Sequence, residues 1–444
     1  MNPARTICLG FLAVILVGAF LLMLPLSSSS GVWSNPITAL FTSTSAVCVT
    51  GLSVVDVGKF YSIWGQIFLM LLFQIGGLGY MTATSVLLIL IGRKFSLRDK
   101  ITLQQSLDTR GIRGGLQLVK SIFAVTLLLE LTGAIALIPT FQQKMSFPES
   151  VWQALFHSVS AFNNAGFSLF SDNLMSYATN PAVSITIGLL IIFGGIGYQV
   201  IFEGYLWLRT KFSRNREYIS FSLTFCVVTT TTIALIVCGT LLFWFTEFRN
   251  QDTLGSMSFF DQILAAWFQS VTTRTAGFNS IDIGKMSITG IFITIALMFI
   301  GASPGGTGGG IKTTTARILA SCTGTALRGH DEVTLYELQV PQGLIIKAVG
   351  VAVGSLFTVI LATGILSLTE PKISFINILF EVTSAFATVG LSTGITASLT
   401  ATGQLIIIAT MYIGRVGVLL LMSAIFTDTR TSLIKYPQES MLVG

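Results

Sequence analysis

Eight stretches of this chain run for about twenty residues or more with few charges, at 7–26, 63–92, 121–140, 183–208, 219–245, 286–320, 343–368 and 402–426. A helix needs about 20 consecutive apolar residues to cross the hydrocarbon core of a bilayer. Only 10% of the 444 residues are charged and 52% are hydrophobic, with a mean hydropathy of +0.80. A soluble domain carries about 25% charged residues, so lipid must be the solvent for much of the chain. A secreted or cytosolic enzyme is excluded. The first run could be read as a signal peptide, but it has only Arg5 before it and no clear small-x-small cleavage site, so it is expected to stay as a retained helix.

Between alternate pairs of runs lie four shorter semi-apolar stretches, near 37–48, 150–163, 260–274 and 374–387. They are too short to span, and each leads into a glycine-containing tract. Non-helical backbone at membrane depth is tolerated only where protein or a water-filled cavity surrounds it. The order is therefore helix, re-entrant loop, helix, four times over. This is an all-α integral membrane fold, with eight transmembrane helices and four re-entrant pore helices in a pseudo-fourfold arrangement around one pore. The repeats are expected at 1–100, 101–218, 219–330 and 331–444, the last including a C-terminal tail. The connection 93–120 carries Arg93, Lys94, Arg98, Lys100, Arg110, Arg113 and Lys120 against Asp99 and Asp108, and 209–217 carries Arg209, Lys211, Arg214 and Arg216. The positive-inside bias places these connections and both termini in the cytoplasm, and the net charge of +6 then needs no nucleic-acid partner.

The re-entrant stretches end in related tripeptides: Val49-Thr50-Gly51, Asn164-Ala165-Gly166, Thr275-Ala276-Gly277 and Thr388-Val389-Gly390. Three follow an S-A pair (Ser45-Ala46, Ser160-Ala161, Ser384-Ala385), and the glycines are spaced 115, 111 and 113 residues apart. A bare charge in hydrocarbon is costly, about 2.5–3.5 kcal/mol even for a side chain at a helix centre on insertion scales. A ring of backbone carbonyls can replace an ion's hydration shell, as in the T-V-G-Y-G loops of potassium filters. Turning those carbonyls inward needs dihedrals that glycine adopts without a Cβ clash. Thr388-Val389-Gly390 matches such a filter best and the other three are degraded, which predicts fewer carbonyl rings and looser selectivity. The competing interpretation is four glycines at ordinary helix crossings. Asp56, Asp172 and Asp282 follow their glycines by five, six and five residues. They form a cation-concentrating vestibule, cap the following helices, or do both.

A second set of glycines follows at offsets of 25, 28, 24 and 24 from the first: Gly76-Gly77-Leu78-Gly79, Gly194-Gly195-Ile196-Gly197, Gly301-Ala302-Ser303-Pro304 and Gly414-Arg415-Val416-Gly417. Small residues there let helices pack closely. The third copy continues to residue 310 with Gly305, Gly306, Thr307, Gly308, Gly309 and Gly310, a composition that cannot continue a helix. It reads either as a gate loop lying across the pore or as a passive hinge. Arg415 in the fourth copy is a charge within an apolar helix, a functional candidate by default. It either holds the loop shut or forms a buried ion pair with Glu130 or Glu203. Arg274, three residues before Gly277, is expected behind the tract, bonded to loop carbonyls or paired with an acid such as Glu381.

Other signals lead nowhere. The five cysteines form no C-x-x-C pair, and His157 and His330 are isolated. Gly301–Gly305 matches G-x-S-x-G but lies within a membrane helix break. Ile311 separates Gly310 from Lys312, so the phosphate-loop motif fails and no nucleotide is expected on this chain.

The segments S-A-V-C-V-T-G-L (45–52), F-N-N-A-G-F (162–167), T-T-R-T-A-G-F (272–278), A-T-V-G-L (387–391), S-P-G-G-T-G-G-G-I-K-T (303–313) and Y-I-G-R-V-G (412–417) together resemble the Trk/Ktr/HKT superfamily of potassium transporters over nearly the whole chain. Because the sequence starts at the first repeat, it is most similar to a Ktr-type membrane subunit. The resemblance implies potassium uptake at the plasma membrane, with no enzymatic activity. It implies potassium bound at the carbonyls of the four tripeptides, a gate at 301–310 with Arg415, and sodium as an activator in some members. It also implies a homodimer and a cytoplasmic ring of nucleotide-binding regulatory subunits. Gly51, where sodium-passing relatives carry Ser, favours potassium. The alternatives are a sodium-permeable or weakly selective path, or the ion-conducting subunit of an ATP-driven complex. Val418 stands where the family pattern has Pro, so a less bent helix end is expected there.

Overall fold

The computed structural model describes residues 3–79, 115–212 and 220–425. The basic connection up to residue 114, Arg214 and Arg216, the end of the second apolar run and the tail beyond 425 lie outside the described residues.

Each repeat opens with a leading helix: Pro3–Met23, Gly115–Phe141, Leu223–Glu247 and Gln342–Thr369. A short pore helix follows: Pro36–Val47, Phe147–Phe162, Phe259–Thr272 and Phe375–Phe386. A trailing helix closes the unit: Ile63–Leu78, Pro181–Ile196, Ile288–Met298 and Ala401–Val416. Among the described residues, four helices are long and apolar enough to cross a membrane, or six if each bent pair is one span. The other β structure among the described residues is slight: Thr334–Leu335 pairs antiparallel with Leu338–Gln339.

Three repeats join leading helix to pore helix by one device. Ser43, Ser158 and Ser270 donate to the carbonyls of Ile15, Glu130 and Ile236 at 2.7, 2.6 and 2.9 Å. Each serine sits where Gly18, Gly133 or Gly239, three residues along the leading helix, leaves no side chain in the way. The fourth repeat has Val382 at the corresponding place, eight residues before Gly390, and packs without that hydroxyl. The trailing helices are capped by Ser62, Asn180, Ser287 and Thr400. In two repeats an acid ending the leading helix grips that cap. Glu247 accepts from the Ser287 amide at 3.0 Å, and Glu370 accepts from the Thr400 amide at 2.8 Å.

The trailing helices are not the continuous spans that their apolar runs suggest. The second and fourth break at Gly197 and Gly417, both at positive φ (98° and 87°), and turn by 105° and 93° into Tyr198–Phe212 and Val418–Ile425. The first ends at Gly79, φ 79°. With Val418 after it, the fourth helix still bends by 93°, against 105° in the second repeat. The bend is made one residue earlier, by a glycine in a conformation that disfavours any side chain. The third stops at Met298, and helix resumes at Thr313–Leu327 after an intervening loop.

Candidate functional site

The four tripeptides meet in one ring, in chain order. A Cβ built on Gly51 would lie 2.6 Å from the Ala165 carbonyl oxygen, one on Gly166 2.8 Å from that of Ala276, and one on Gly277 2.5 Å from that of Val389. Gly390 closes the circle against the Thr50 carbonyl. Every one of these glycines has positive φ, between 70° and 94°.

Local hydrogen bonds decide where the ring's carbonyls point. The Thr50, Ala165 and Val389 amides donate back to the carbonyls of Ser45, Ser160 and Ser384 at 2.7, 2.7 and 2.8 Å, and the Ala276 amide to Thr272 at 3.0 Å. In a trans peptide the carbonyl opposes the N–H. With the amides turned toward the pore helices, the carbonyls of Val49, Asn164, Thr275 and Thr388 turn the other way, into the ring. Gly51 and Gly390 add a second turned peptide each, donating to the hydroxyls of Ser45 and Ser384 at 3.0 and 3.1 Å. Ser160 and Thr272 instead donate to the carbonyls of Phe167 and Phe278 at 2.8 and 2.6 Å. The repeats therefore sort into two kinds, first with fourth and second with third. The sequence pattern had set the fourth apart from the other three. The pore helices end four or five residues before the ring glycines, which brings the negative end of each helix dipole to the ring.

On one side the ring opens into a cavity of about 330 Å³, lined by the four glycines and by Asp56 and Asp172 among others. All three acids cap backbone. Asp56 accepts from the Gly58 and Lys59 amides at 3.1 and 3.3 Å, Asp282 from Gly284 at 3.0 Å, and Asp172 from Ser176 at 2.9 Å. Asp282 is not part of the cavity lining. Burial raises the Asp56 carboxyl, but hydrogen bonds from Ser171 and the Lys59 amide, with the Lys59 charge, outweigh it and hold the group below the ordinary carboxylate range.

On the other side lies the glycine loop. Its ends pair, the Gly301 amide donating to the Ile311 carbonyl at 2.8 Å. Its body reaches the second repeat, where Ser303 and Thr307 donate to the carbonyls of Gly195 and Gly194 at 2.9 and 3.1 Å. The Tyr198 amide, freed by the bend at Gly197, donates to Gly305 at 3.3 Å. Gly309 donates to the Thr388 hydroxyl of the fourth repeat at 2.9 Å, and Gly308 lies against Thr275 of the third. The loop thus passes directly beneath the ring. Small residues hold the neighbouring helices close. A Cβ on Gly76, Gly194 or Gly414 would collide with the carbonyl of Val47, Phe162 or Phe386, the last residue of the pore helix in the same repeat.

Arg415 points into this region. Its guanidinium donates to the Thr307 carbonyl of the loop and to the Gly76 carbonyl of the first trailing helix. The ion pair weighed for it is not formed. Glu130 accepts from Asn163 at 3.0 Å, and Glu203 from the Ser222 amide and hydroxyl at 3.0 and 2.8 Å. The Arg274–Glu381 pair is also absent. Glu381 is taken by the Ser392 and Thr396 hydroxyls, closer to it along the chain, and the buried Arg274 Nε has no partner. Sequence reasoning missed Lys312, whose ammonium donates to the Gly308 carbonyl at 2.8 Å. The signal was its place two residues after the glycine run, within the segment 303–313. Among the described residues no group of three or more His, Cys, Asp or Glu is placed to hold a metal.

A family profile described as TrkH, cation transport protein, matches residues 2–430. The chain is 40% identical over 444 residues to the Ktr system potassium uptake protein B of Bacillus subtilis, covering 100% of this chain and 97% of that one. It is 41% identical over 440 residues to the protein of the same name from Vibrio alginolyticus, covering 99% and 94%. To the potassium/sodium uptake protein NtpJ of Enterococcus hirae it is 36% identical over 449 residues, covering 100% and 98%. Its fold is similar to that of the potassium transporter TrkH from Vibrio parahaemolyticus, with a TM-score of 0.71 at 18% identity over 95% of this chain and 86% of that one.

Proposed function

The chain belongs to the TrkH family of cation transport proteins, and from that premise we propose that it takes up potassium across the plasma membrane through the glycine ring, under control of the 301–310 loop. The observation that carries this reading is the closed circle of four glycine tracts with their amides tied outward and their carbonyls turned in. A monovalent cation that has shed its water needs such a set of dipolar oxygens. Residues 49–51, 164–166, 275–277 and 388–390 then form the selectivity filter. Asp56 and Asp172 draw cations into the outer cavity. The loop from Gly305 to Gly310, held by Arg415, closes the inner side.

The names of the relatives, a potassium uptake system and a potassium/sodium uptake protein, support potassium as the principal ion and sodium as a second ion or activator. The word system also fits a multi-component assembly. In our reading this chain is its membrane homodimer, and a nucleotide-binding ring docks on the cytoplasmic side that carries both termini and the basic connections. Influx of rubidium, potassium and sodium into vesicles holding the purified chain tests the proposal. Saturable rubidium influx that potassium blocks far better than sodium is expected, and equal block by the two ions would refute potassium selectivity.

A further inference from the structure

On the outer side of the ring the fourth repeat lacks the acid that the other three carry. Asp56, Asp172 and Asp282 stand five or six residues after their ring glycines, where the fourth repeat has Ile395 and Thr396. An acid is nevertheless present one layer back. Nine residues before the ring glycines, within the pore helices, stand Thr42, His157, Phe268 and Glu381. Ser392 and Thr396 both line the outer cavity, as does Gly390. Both hydroxyls donate to the Glu381 carboxylate, Ser392 to Oε2 at 2.8 Å and Thr396 to Oε1. We propose that Glu381, acting through the Ser392 and Thr396 hydroxyls, supplies the fourth repeat's negative charge to the outer cavity and holds a monovalent cation there, beside Gly390, before it enters the ring. This proposal rests on the reading of the ring as the filter.

A hydroxyl has one proton to give. Ser392 Oγ and Thr396 Oγ1 lie 2.9 Å apart. With both protons on the carboxylate, the pair turns oxygens alone toward its other neighbours, and a single carboxylate charge behind it matches a single positive charge in front. The second repeat has the same device without the acid. His157 Nε2 lies 2.8 Å from the hydroxyl of Ser168, which follows Gly166 by two residues as Ser392 follows Gly390. His157 Nδ1 faces the Gln153 carbonyl at 2.8 Å and carries the proton, so Nε2 accepts from Ser168. Glu381 is fully buried. Among the described residues it forms no ion pair, whereas Lys59 lies 3.5 Å from Asp56 and Lys285 lies 4.0 Å from Asp282. Asp172 is likewise outside any such pair. The second and fourth repeats face each other across the ring, so the two acids without a lysine are charges on opposite sides of the same cavity. A buried carboxylate without a counter-ion is costly, and a cation held in front of Ser392 and Thr396 offsets that cost.

Glu381→Gln removes the charge and keeps the size of the side chain. Adding Thr396→Asp to it returns a charge to the loop position that Asp172 holds in the second repeat. Both are compared with the parent as purified full chains in vesicles. The readouts are rubidium influx against external rubidium, at low ionic strength and at high ionic strength set with N-methylglucamine chloride, and the melting temperature in detergent. Glu381→Gln should raise the half-saturating rubidium concentration about tenfold at low ionic strength and less at high, with maximal influx held. The double variant should return the half-saturating concentration toward that of the parent. An unmoved value in a stable Glu381→Gln would overturn the proposal. So would a rise that salt does not diminish or that adding Thr396→Asp fails to reverse, because a carboxylate that only pins the loop has neither property. If Glu381→Gln yields no stable protein, Thr396→Val, which leaves the acid and removes one oxygen in front of it, is judged by the same half-saturation and salt criteria. A parent whose rubidium influx does not saturate would instead overturn the filter reading.

Discussion

Replacing Arg415 by Ala should convert a closed pathway into a leaking one, and the structure sets the size of the effect. The guanidinium makes two charge-assisted bonds, to the Thr307 carbonyl and to the Gly76 carbonyl. Hydrogen bonds to charged groups contribute about 1.5–3 kcal/mol each. Only the bond to Thr307 holds the loop, because Gly76 belongs to a trailing helix that stays in place when the loop moves. The mutation therefore removes about 1.5–3 kcal/mol from the closed state, a shift of roughly 10- to 150-fold in the closed-to-open ratio. Rubidium influx into vesicles at fixed membrane potential should rise by at least about tenfold on that basis. Two further variants separate bonding from charge. Arg415→Lys keeps the charge but cannot span both carbonyls, and should leak to an intermediate degree. Arg415→Gln keeps donors without charge. Influx like that of the parent in Arg415→Gln assigns closure to the hydrogen bond, and influx like that of Arg415→Ala assigns it to electrostatic exclusion. A well-folded Arg415→Ala with parental influx would refute the reasoning, because no acid compensates for the arginine among the described residues.

Gly51→Ser should weaken potassium preference: its φ is 94° and the Ala165 oxygen would lie 2.6 Å from the new Cβ, so the ring must widen or lose a carbonyl. With strain of about 1–3 kcal/mol, rubidium-over-sodium selectivity should fall by roughly 5- to 150-fold, and unchanged selectivity would exclude the first tract from the filter. Deleting residues 306–309 should raise flux, since the loop blocks the inner face of the ring, and a folded but inactive deletion would mean the loop is needed for conduction rather than closure. Asp56→Asn should lower uptake at low external potassium and matter less at high salt. The Asp56 carboxyl is held below the ordinary carboxylate range. It stays ionised down to that range, and its contribution to uptake and to folding is lost only as pH falls through the lowered value. A loss of uptake between pH 8 and 6 in the parent that Asp56→Asn removes would contradict this. Gly414→Ala should destabilise strongly, visible as a lower melting temperature, because its Cβ would collide with the Phe386 carbonyl.

Apolar run length and glycine spacing made the fold legible, because both are local or strictly periodic. The ring, the loop beneath it and the direction of Arg415 could likewise be read from repeat equivalence. What escaped was the pairing between residues far apart in sequence. Nothing in the spacing says that Glu381 would be taken by Ser392 and Thr396, leaving Arg274 without it. For Arg415 the loop was weighed beside a buried acid, and a loop carbonyl is its partner; what no motif marks is its second partner, the Gly76 carbonyl of the first repeat. The helix bends were hidden because an apolar run reads the same whether straight or broken. The legible sign was the last glycine of each G-G-x-G or G-R-V-G tract, and it made a bend of 93° even where Val418 replaces the expected Pro.

The inequality of the repeats is what the proposed gate requires. A pore of four identical chains would place four copies of any intramembrane loop beneath the ring, where there is room for one. Fusing the repeats in one chain lets the third, alone among the described residues, interrupt its trailing helix with a loop, whose ends pair at Ile300 and Ile311 and whose body passes beneath the ring. The second repeat then supplies the acceptors for that loop at Gly194 and Gly195, and the fourth supplies Thr388 and Arg415. The first contributes the Gly76 carbonyl that steadies Arg415, with the Phe11 ring beside the guanidinium. The glycine ring follows a different division, with the first and fourth tracts turning two peptides each through Ser45 and Ser384, and the second and third turning one. The fourth repeat is where the two divisions overlap. It carries the two-peptide tract, the hydroxyl bonded to the loop and the arginine that holds the loop. Substitutions there should alter selectivity and gating together, whereas Gly51→Ser should alter selectivity with little effect on closure.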